Sequence, residues 1–467
     1  MINNEFHKED SSYRDNHGSV YFFKNKVLRT INAPAESNYL TLKKQNIYRD
    51  SIKNNFLIDF QEVEKNNFPE QLKTCNIILE SEMLPFISYP YEWTFDQLKD
   101  AALHHLDFQI FLLNKNCVLR DSSAFNVQFH KGKPIFIDIL SLKHYEEGEY
   151  WIGYKQFCEN FLNPLLLSHF KSIHHNDFFR GSIEGLETIK LNNLLSLQNK
   201  FSFNTFIHVV LQSSLLKKDI ENPHYTRDKK KKLKKFKKKS YFFLLNQLKS
   251  WIKKLTFKKE KSIWGSYSKT NTYNEKSLHE KETIIANFAK KFKPIKILDL
   301  GCNNGSFSKI ALKNGAKDAV GVDFDYNAIT EAYNLNKNDN LNFLPLLMNL
   351  SDPSPNRGWK QNERKGFVER FKCNALIALA LEHHLIIGKN IPIKDFVTWL
   401  VSLSQIGLLE FVPKDDQTVK DMLSTKEDIY KDYNEENFEK YLIQHVEILK
   451  KHKLHNSNRV IYEYKVL

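Results

Sequence analysis

The chain has 467 residues, 69 Lys and Arg against 55 Asp and Glu, and a formal charge of +14. Its 41% hydrophobic and 13% aromatic content excludes disorder over most of the length and supplies apolar surface for two or three domain cores. With no run of 18 apolar residues, no hydrophobic core in the opening MINNEFHKEDSSYRD, and five dispersed cysteines lacking any CxxC pair, composition predicts a cytoplasmic protein without a transmembrane segment, disulfide framework or metal site.

The charge is local. Between Arg227 and Lys261 there are 16 Lys and Arg against Asp228 and Glu260, which leaves 53 of each sign elsewhere. The chain therefore divides into an N-terminal α+β module over 1–225, a basic linker over 226–262 and a C-terminal domain over 263–467, each folded part being of single-domain size.

Within the N-terminal module, the apolar stretch DAALHHLDFQIFLLN predicts a helix. It leads to the loop VLRDSSAFNVQF, a KGKP hairpin turn and the strand IFIDIL. This order resembles the catalytic core of the protein-kinase-like phosphotransferases, where an HRD-type loop carries an Asn five residues beyond its Asp and a hairpin then presents a metal-binding Asp. Asp121 and Asn126 have that spacing, Arg120 precedes Asp121, and Asp138 follows 12 residues after Asn126. The resemblance implies a kinase-like module in which Asp121 orients an acceptor hydroxyl, while Asn126 and Asp138 hold Mg beside the phosphates of ATP. Departures accompany it: Leu119 replaces His, Asp138-Ile139-Leu140 replaces DFG, and the early hairpin HGSVYFFKNKVLRTI carries the single glycine Gly18 and no evident phosphate-binding Lys. A hairpin whose Asp and Asn merely cap turns is the other reading.

In the linker, RDKKKKLKKFKKKS precedes YFFLLNQLKSWIKKLTF. Leu244, Leu245, Leu248, Trp251, Ile252 and Leu255 recur at helical spacing, with Lys249, Lys253 and Lys254 mostly on the other side, which predicts a basic amphipathic helix. Three partners fit residues 227–261: a nucleic-acid backbone, an anionic membrane surface at which the protein would be peripheral, or the chain's own domains beneath the apolar stripe.

The C-terminal domain alternates helical and strand patterns: a helix over 281–291, a strand over 295–300, a helix over 306–314 and a strand over 319–323, with later strands at 375–381 and 407–412. That order predicts an α/β fold with a doubly wound, Rossmann-like parallel sheet. Of 15 glycines in the chain, Gly301, Gly305, Gly315 and Gly321 fall within 21 residues. The segment ILDLGCNNGSFS reads as a strand, a tight glycine turn and a helix start, a geometry that lets a cofactor approach the backbone. The dinucleotide spacing GxGxxG fails here, because positions 303 and 306 are Asn and Ser. An acid before the turn, Asp299, would repel a pyrophosphate but suits the ammonium and sulfonium charges of S-adenosylmethionine. Asp323 ends the second strand, 18 residues after Gly305, where a carboxylate accepts hydrogen bonds from ribose hydroxyls.

These residues resemble the class I S-adenosylmethionine-dependent methyltransferases, many of which carry DLGCxxG as a first motif. The resemblance implies that Asp299, Gly301, Asn303 and Gly305 line the methionine end of S-adenosyl-L-methionine and Asp323 its ribose. Asn303 stands where many members have a third glycine. In NFLPLLMNLSDPSP, Asn349 is the counterpart of the residue that contacts the adenine amine. After the fourth strand, ALIALALEHHL places Glu382, His383 and His384 at the cofactor crevice as catalytic candidates, a histidine being able to take a proton from an attacking hydroxyl or amine. The alternative is that one histidine fills the strand-to-helix turn.

The order of segments along most of the chain, including SYPYEWTFDQLKDAAL, YKQFCENFLNPLLL and LLEFVPKDD, is also similar to a group of bacterial two-part proteins regarded as methyltransferases, some of them nodulation-related. The primary expectation is a methyltransferase for an acceptor that no motif identifies. Two alternatives stay open: a phosphotransferase N-terminal half beside a non-catalytic, cofactor-binding C-terminal domain, and a polyanion- or membrane-associated binding protein.

Overall fold

A computed structural model describes residues 6–65, 68, 72, 75–221, 235–258, 275–455 and 457–467. Most of the lysine cluster, from 227 to 234, and the end of the basic linker from 259 lie outside the described residues. No helix among the described residues is long and apolar enough to cross a membrane.

The C-terminal half is built on a seven-stranded sheet. Its strands are β10 (Lys296–Leu300), β11 (Asp318–Asp323), β12 (Phe343–Leu347), β13 (Cys373–Ala378), β14 (Ser404–Phe411), β15 (Val446–Lys453) and β16 (Val460–Val466), numbered after nine strands in the N-terminal half. The order across the sheet is β12-β11-β10-β13-β14-β16-β15. The first five run parallel, while β16 is antiparallel to both of its neighbours. Strands such as DAVGVD are buried throughout, as a parallel sheet covered on both faces demands. The sequence carries no alternating signal for the reversed β15–β16 hairpin that closes the sheet, because β16 is buried over its first five residues.

The N-terminal half starts with a five-stranded antiparallel sheet: β1 (Phe6–Lys8), β2 (Val20–Phe23), β3 (Lys26–Ile31), β4 (Gln61–Glu62) and β5 (Ile77–Glu82), in the order β1-β2-β3-β5-β4. A helix, Ala33–Lys44, follows β3. Next comes the long helix Phe95–Asn114, started by a capping box in which Thr94 and Gln97 satisfy each other's backbone amides. Two small ladders complete this half: β6 (Cys117–Leu119) with β9 (Leu142–His144), and β7 (Val127–His130) with β8 (Lys133–Phe136). Lys131 and Gly132 turn the β7–β8 hairpin at φ +49° and +72°, the mirror-image turn that matches strand twist. The strand expected over IFIDIL is shorter, because Asp138 ends it by accepting the Leu140 amide and starting a helical turn.

The amphipathic linker helix spans Lys238–Lys254 and lies along Phe95–Asn114, with Tyr241, Leu245, Leu248 and Ile252 buried. Gln109 Nε2 donates to Tyr241 Oη at 2.7 Å, Lys249 pairs with Asp107, and Lys99 Nζ donates to the carbonyls of Lys253 and Leu255 at 2.8 Å. Its apolar stripe is thus occupied by the chain itself.

The two halves share one continuous core. The helix Tyr326–Asp339, which follows β11, meets the start of Phe95–Asn114: the Phe95 amide donates to Tyr326 Oη, and Tyr333 Oη and Lys337 Nζ both bind Asp100, at 2.8 and 2.6 Å. Gln97 Nε2 donates to the Pro345 carbonyl at 3.1 Å, so the edge strand β12 is covered.

Candidate functional site

In an open α/β sheet, ligands bind beyond the carboxyl ends of the strands where strand order reverses, here between β10 and β13. The turn after β10 is at that point. Gly301 and Gly305 adopt φ +75° and +77°, and a Cβ on Gly305 would meet the Phe343 ring at 2.4 Å. Asn303 is also left-handed, at φ +49°, a region that Asn tolerates better than most residues. This answers how a turn that usually carries a third glycine forms without one.

The turn is tied to the second strand. The Asn303 amide donates to Asp323 Oδ2 at 2.9 Å, and the Asp325 amide donates to Oδ1 at 2.8 Å. Each carboxylate oxygen retains a further acceptor position. Asp299 is buried and accepts from Ser308 Oγ at 2.6 Å; burial first, then the neighbouring Asp323, push its carboxyl up to about 7 against the pull of Ser308. Burial also raises Asp323. Asp299, Gly301, Asn303, Gly305 and Asp323 are therefore brought together. Asn349 is two residues beyond β12, and its side-chain oxygen is engaged by the Ser351 amide and hydroxyl at 3.0 and 2.8 Å.

Glu382, His383 and His384 start the helix Glu382–Lys389 after β13, and the preceding Leu381 packs against Gly301. Ala380, at φ +51°, strains the chain just before them. Glu382 is fully buried; its Oε1 accepts from the Val412 amide at 2.5 Å and Tyr433 Oη at 3.2 Å, tying the loops after β13 and β14 together. His383 is buried, and its ring meets that of His384 at a tilt, with centroids 4.1 Å apart. Burial, assisted by His383 and Arg459, holds His384 down at about 3, so its imidazole is neutral at pH 7 and only weakly basic. Nearby, Lys281 Nζ and Glu410 form a buried ion pair at 2.7 Å, and Arg459 binds Asp416 at 2.7 Å.

A second cluster lies in the N-terminal half. Asn126 Nδ2 donates to Asp121 Oδ2 at 2.8 Å and reaches Asp138 Oδ2 at 3.5 Å; Ser141 Oγ donates to Asp121 Oδ1. Arg29 of β3 pairs with Asp138 at 3.0 Å. The segment between β1 and β2 brings His17 to Arg120 at 3.1 Å. Burial and Asp138 push Asp121 up to about 6, and burial raises Asp138 against the pull of Arg29. Asp121, Asn126 and Asp138 thus converge, and Arg29, His17 and Ser141 are the members that sequence reasoning missed. Arg29 lies on the second strand of the early hairpin, where nothing in KVLRTI distinguishes it from a surface residue.

The segment between β12 and β13 links the two clusters. Arg357, Arg364 and Arg370 stack over Tyr91, Phe125 and Tyr89 at 5.2, 4.4 and 4.3 Å, and Phe125 immediately precedes Asn126. Arg370 also forms a buried ion pair with Glu92, which accepts from Ser354 Oγ at 2.7 Å. This clasp follows Asn349 in the chain and holds the ring of Phe125, next to Asn126.

The sheet order, five parallel strands and one reversed strand with an acidic glycine turn at the switch point, defines a doubly wound, parallel-rich α/β fold. No family model matches the chain. It is 39% identical over 461 residues to the nodulation protein NoeA of Rhizobium meliloti (strain 1021), with 97% of this chain and 95% of that protein covered. The chain belongs to the NoeA family. Among solved structures, it is similar to the magnesium protoporphyrin IX methyltransferase ChlM of Synechocystis PCC 6803 with bound SAH (18% identity, 40% of this chain and 83% of that chain, TM-score 0.30). It is also similar to an rRNA methylase from Escherichia coli (13%, 41% and 66%, TM-score 0.29) and to the methyltransferase domain of bacterial CtHen1 (14%, 41% and 100%, TM-score 0.30).

Proposed function

We propose that the protein is an S-adenosylmethionine-dependent methyltransferase whose C-terminal domain holds the cofactor. The observation that supports this most is that Asp299 and Asp323 are electrostatic neighbours at a left-handed turn whose Asn303 amide binds Asp323, all at the switch point. Two buried carboxyls with raised pKa values repel a phosphate and gain from a neighbouring ammonium, so the residues present fit the group. Asp299 with Gly301, Asn303 and Gly305 would hold the methionine end, the remaining acceptor positions of Asp323 would bind the ribose hydroxyls, and Asn349 would meet the adenine end. S-adenosylmethionine supplies an activated methyl group when bound.

The chain's own part is then mostly positioning. Glu382 fixes the loops after β13 and β14 that border the crevice. His383 and His384 contribute a shaped wall, and the low basicity of His384 leaves it a positioning residue rather than a strong general base.

The charge state of Asp299 sets the test. Its folded pKa of about 7 lies above the roughly 3.9 of an unfolded Asp, so the unliganded protein is expected to lose stability as pH rises from about 4 to about 7. An ammonium favours the ionised form, so cofactor affinity should move the other way. Calorimetry of the intact protein is expected to show S-adenosylmethionine bound roughly tenfold more weakly at pH 5.5 than at pH 7, with the slope reduced in Asp299→Asn. Absence of binding at both pH values would overturn the proposal.

A second reading is favoured by the convergence of Asp121, Asn126 and Asp138 with Arg29: the N-terminal half is a kinase-like nucleotide site. Asn126 and Asp138 would hold Mg through hard oxygen donors, Arg29, now paired with Asp138, would turn to phosphate oxygens, and Asp121 would orient an acceptor hydroxyl. ATP would supply a phosphoryl group. Magnesium-dependent ATP binding is expected to be lost in Asp138→Ala; binding that survives the substitution contradicts this reading.

A further inference from the structure

We propose that an exposed apolar face carried by residues 194–220 and Phe243 seats the protein on an anionic lipid surface. Large hydrophobic side chains exposed to solvent are usually scattered, yet eight of the twenty-three found among the described residues fall between Leu194 and Ile220. Leu197, Phe201, Phe203 and Ile220 are 74%, 84%, 72% and 71% exposed, and Phe206 is half exposed. Neighbouring residues of the same stretch anchor it, since Leu191, Leu195, Thr205, His208, Val209 and Ser213 are buried, whereas the helix Leu197–Lys200 buries none of its own residues.

These elements form one face. Asn192 Nδ2 donates to Ser213 Oγ at 3.3 Å, which holds the helix Thr188–Leu194 beside Gln212–Glu221. Gln247 Nε2 donates to Asn204 Oδ1 at 2.8 Å, and the His208 and Trp251 rings stack at 5.7 Å, so the linker helix lies against the same segment. Phe243, one turn before Gln247 on that helix, is 71% exposed and extends the face.

The charge of the flanking chain selects the occupant. From Arg227 to Lys239 the sequence places ten Lys and Arg against Asp228, and this stretch joins the two elements that carry the exposed rings. Of it, the described Lys235, Lys237 and Lys239 are exposed. A second copy of the chain would bring two such runs together and be repelled. A single-stranded nucleic acid needs aromatic faces, whereas here five of the eight exposed side chains from Leu194 to Ile220 are Leu or Ile, which suits the acyl boundary beneath anionic headgroups. The linker helix itself is not the inserted element, since its apolar stripe is packed; the rings of residues 194–220 would enter while the fold stays intact. This inference is independent of methyl transfer.

Sedimentation of the intact protein with vesicles tests it. Association with equimolar phosphatidylglycerol and phosphatidylcholine is expected to exceed that with pure phosphatidylcholine by about tenfold or more and to weaken with salt. Phe201→Ser with Phe203→Ser should lower it by roughly tenfold, as should Lys235→Ser, Lys237→Ser and Lys239→Ser together, with circular dichroism unchanged. Equal association with both vesicle types, or association unaltered by the Phe substitutions, would overturn the proposal. So would light scattering that shows the Phe substitutions converting a dimer to a monomer, or their abolishing binding of a single-stranded RNA probe while vesicle binding stays intact.

Discussion

Replacing Arg370 with methionine is expected to destabilise the protein by about 3–5 kcal/mol, the scale for breaking a buried ion pair by removing one partner. Its guanidinium holds Glu92, donates to the Ile87 and Lys365 carbonyls at 2.7 and 2.8 Å, and stacks on Tyr89 and Phe371. Without it, Glu92 keeps the Tyr89 amide and the Ser354 hydroxyl but loses its counter-charge in a buried site. Urea denaturation followed by fluorescence would read the loss. The double variant Glu92→Gln with Arg370→Met should recover part of it, because no uncompensated charge remains. A change below about 1 kcal/mol would mean that the clasp between the halves is not held by this pair.

The second large effect is at the ribose end of the proposed cofactor site. Asp323→Ala is expected to weaken S-adenosylmethionine binding by roughly 100-fold or more, from the loss of two charge-assisted hydrogen bonds worth about 1.5–3 kcal/mol each. The same carboxylate accepts the Asn303 and Asp325 amides, so the turn would loosen as well. Asp323→Asn keeps one acceptor oxygen and should fall between the two. Equal affinity for wild type and Asp323→Ala, measured by equilibrium dialysis, would remove Asp323 from the site.

How much of this could be read from the chain depends on how local each demand is. A left-handed turn needs Gly or Asn at particular positions, and an acid at a strand end has few structural reasons to be there, so the stretch from Asp299 to Asp323 was legible. The Asp121, Asn126 and Asp138 spacing was legible too, as a pattern on one hairpin. Arg29 was not, because its partner Asp138 is 109 residues away and nothing in KVLRTI marks it. Of the five N-terminal strands, β2 and β3 were legible as the early hairpin, whereas β1, β4 and β5 were not, being two to six residues long, with β4 and β5 set apart from the hairpin by a helical stretch. Arg357, Arg364 and Arg370 lie in a segment without periodicity, so their stacking on Tyr91, Phe125 and Tyr89 had no sequence signature. The amphipathic stripe of the linker was visible, but composition does not say whether a membrane or the chain's own helix covers it. The apolar segment FSFNTF carries no signal that it is largely exposed.

The charge excess of +14 lies between Arg227 and Lys261, whereas the proposed chemistry rests on acids. Labelling with methyl-tritiated S-adenosylmethionine under ultraviolet light tests that most directly. After irradiation of the intact protein and proteolysis, the label is predicted to reside on peptides spanning residues 297–325, and to disappear from them in Asp323→Ala. Absence of label, or label confined to the N-terminal half, would contradict a cofactor site at the turn after β10.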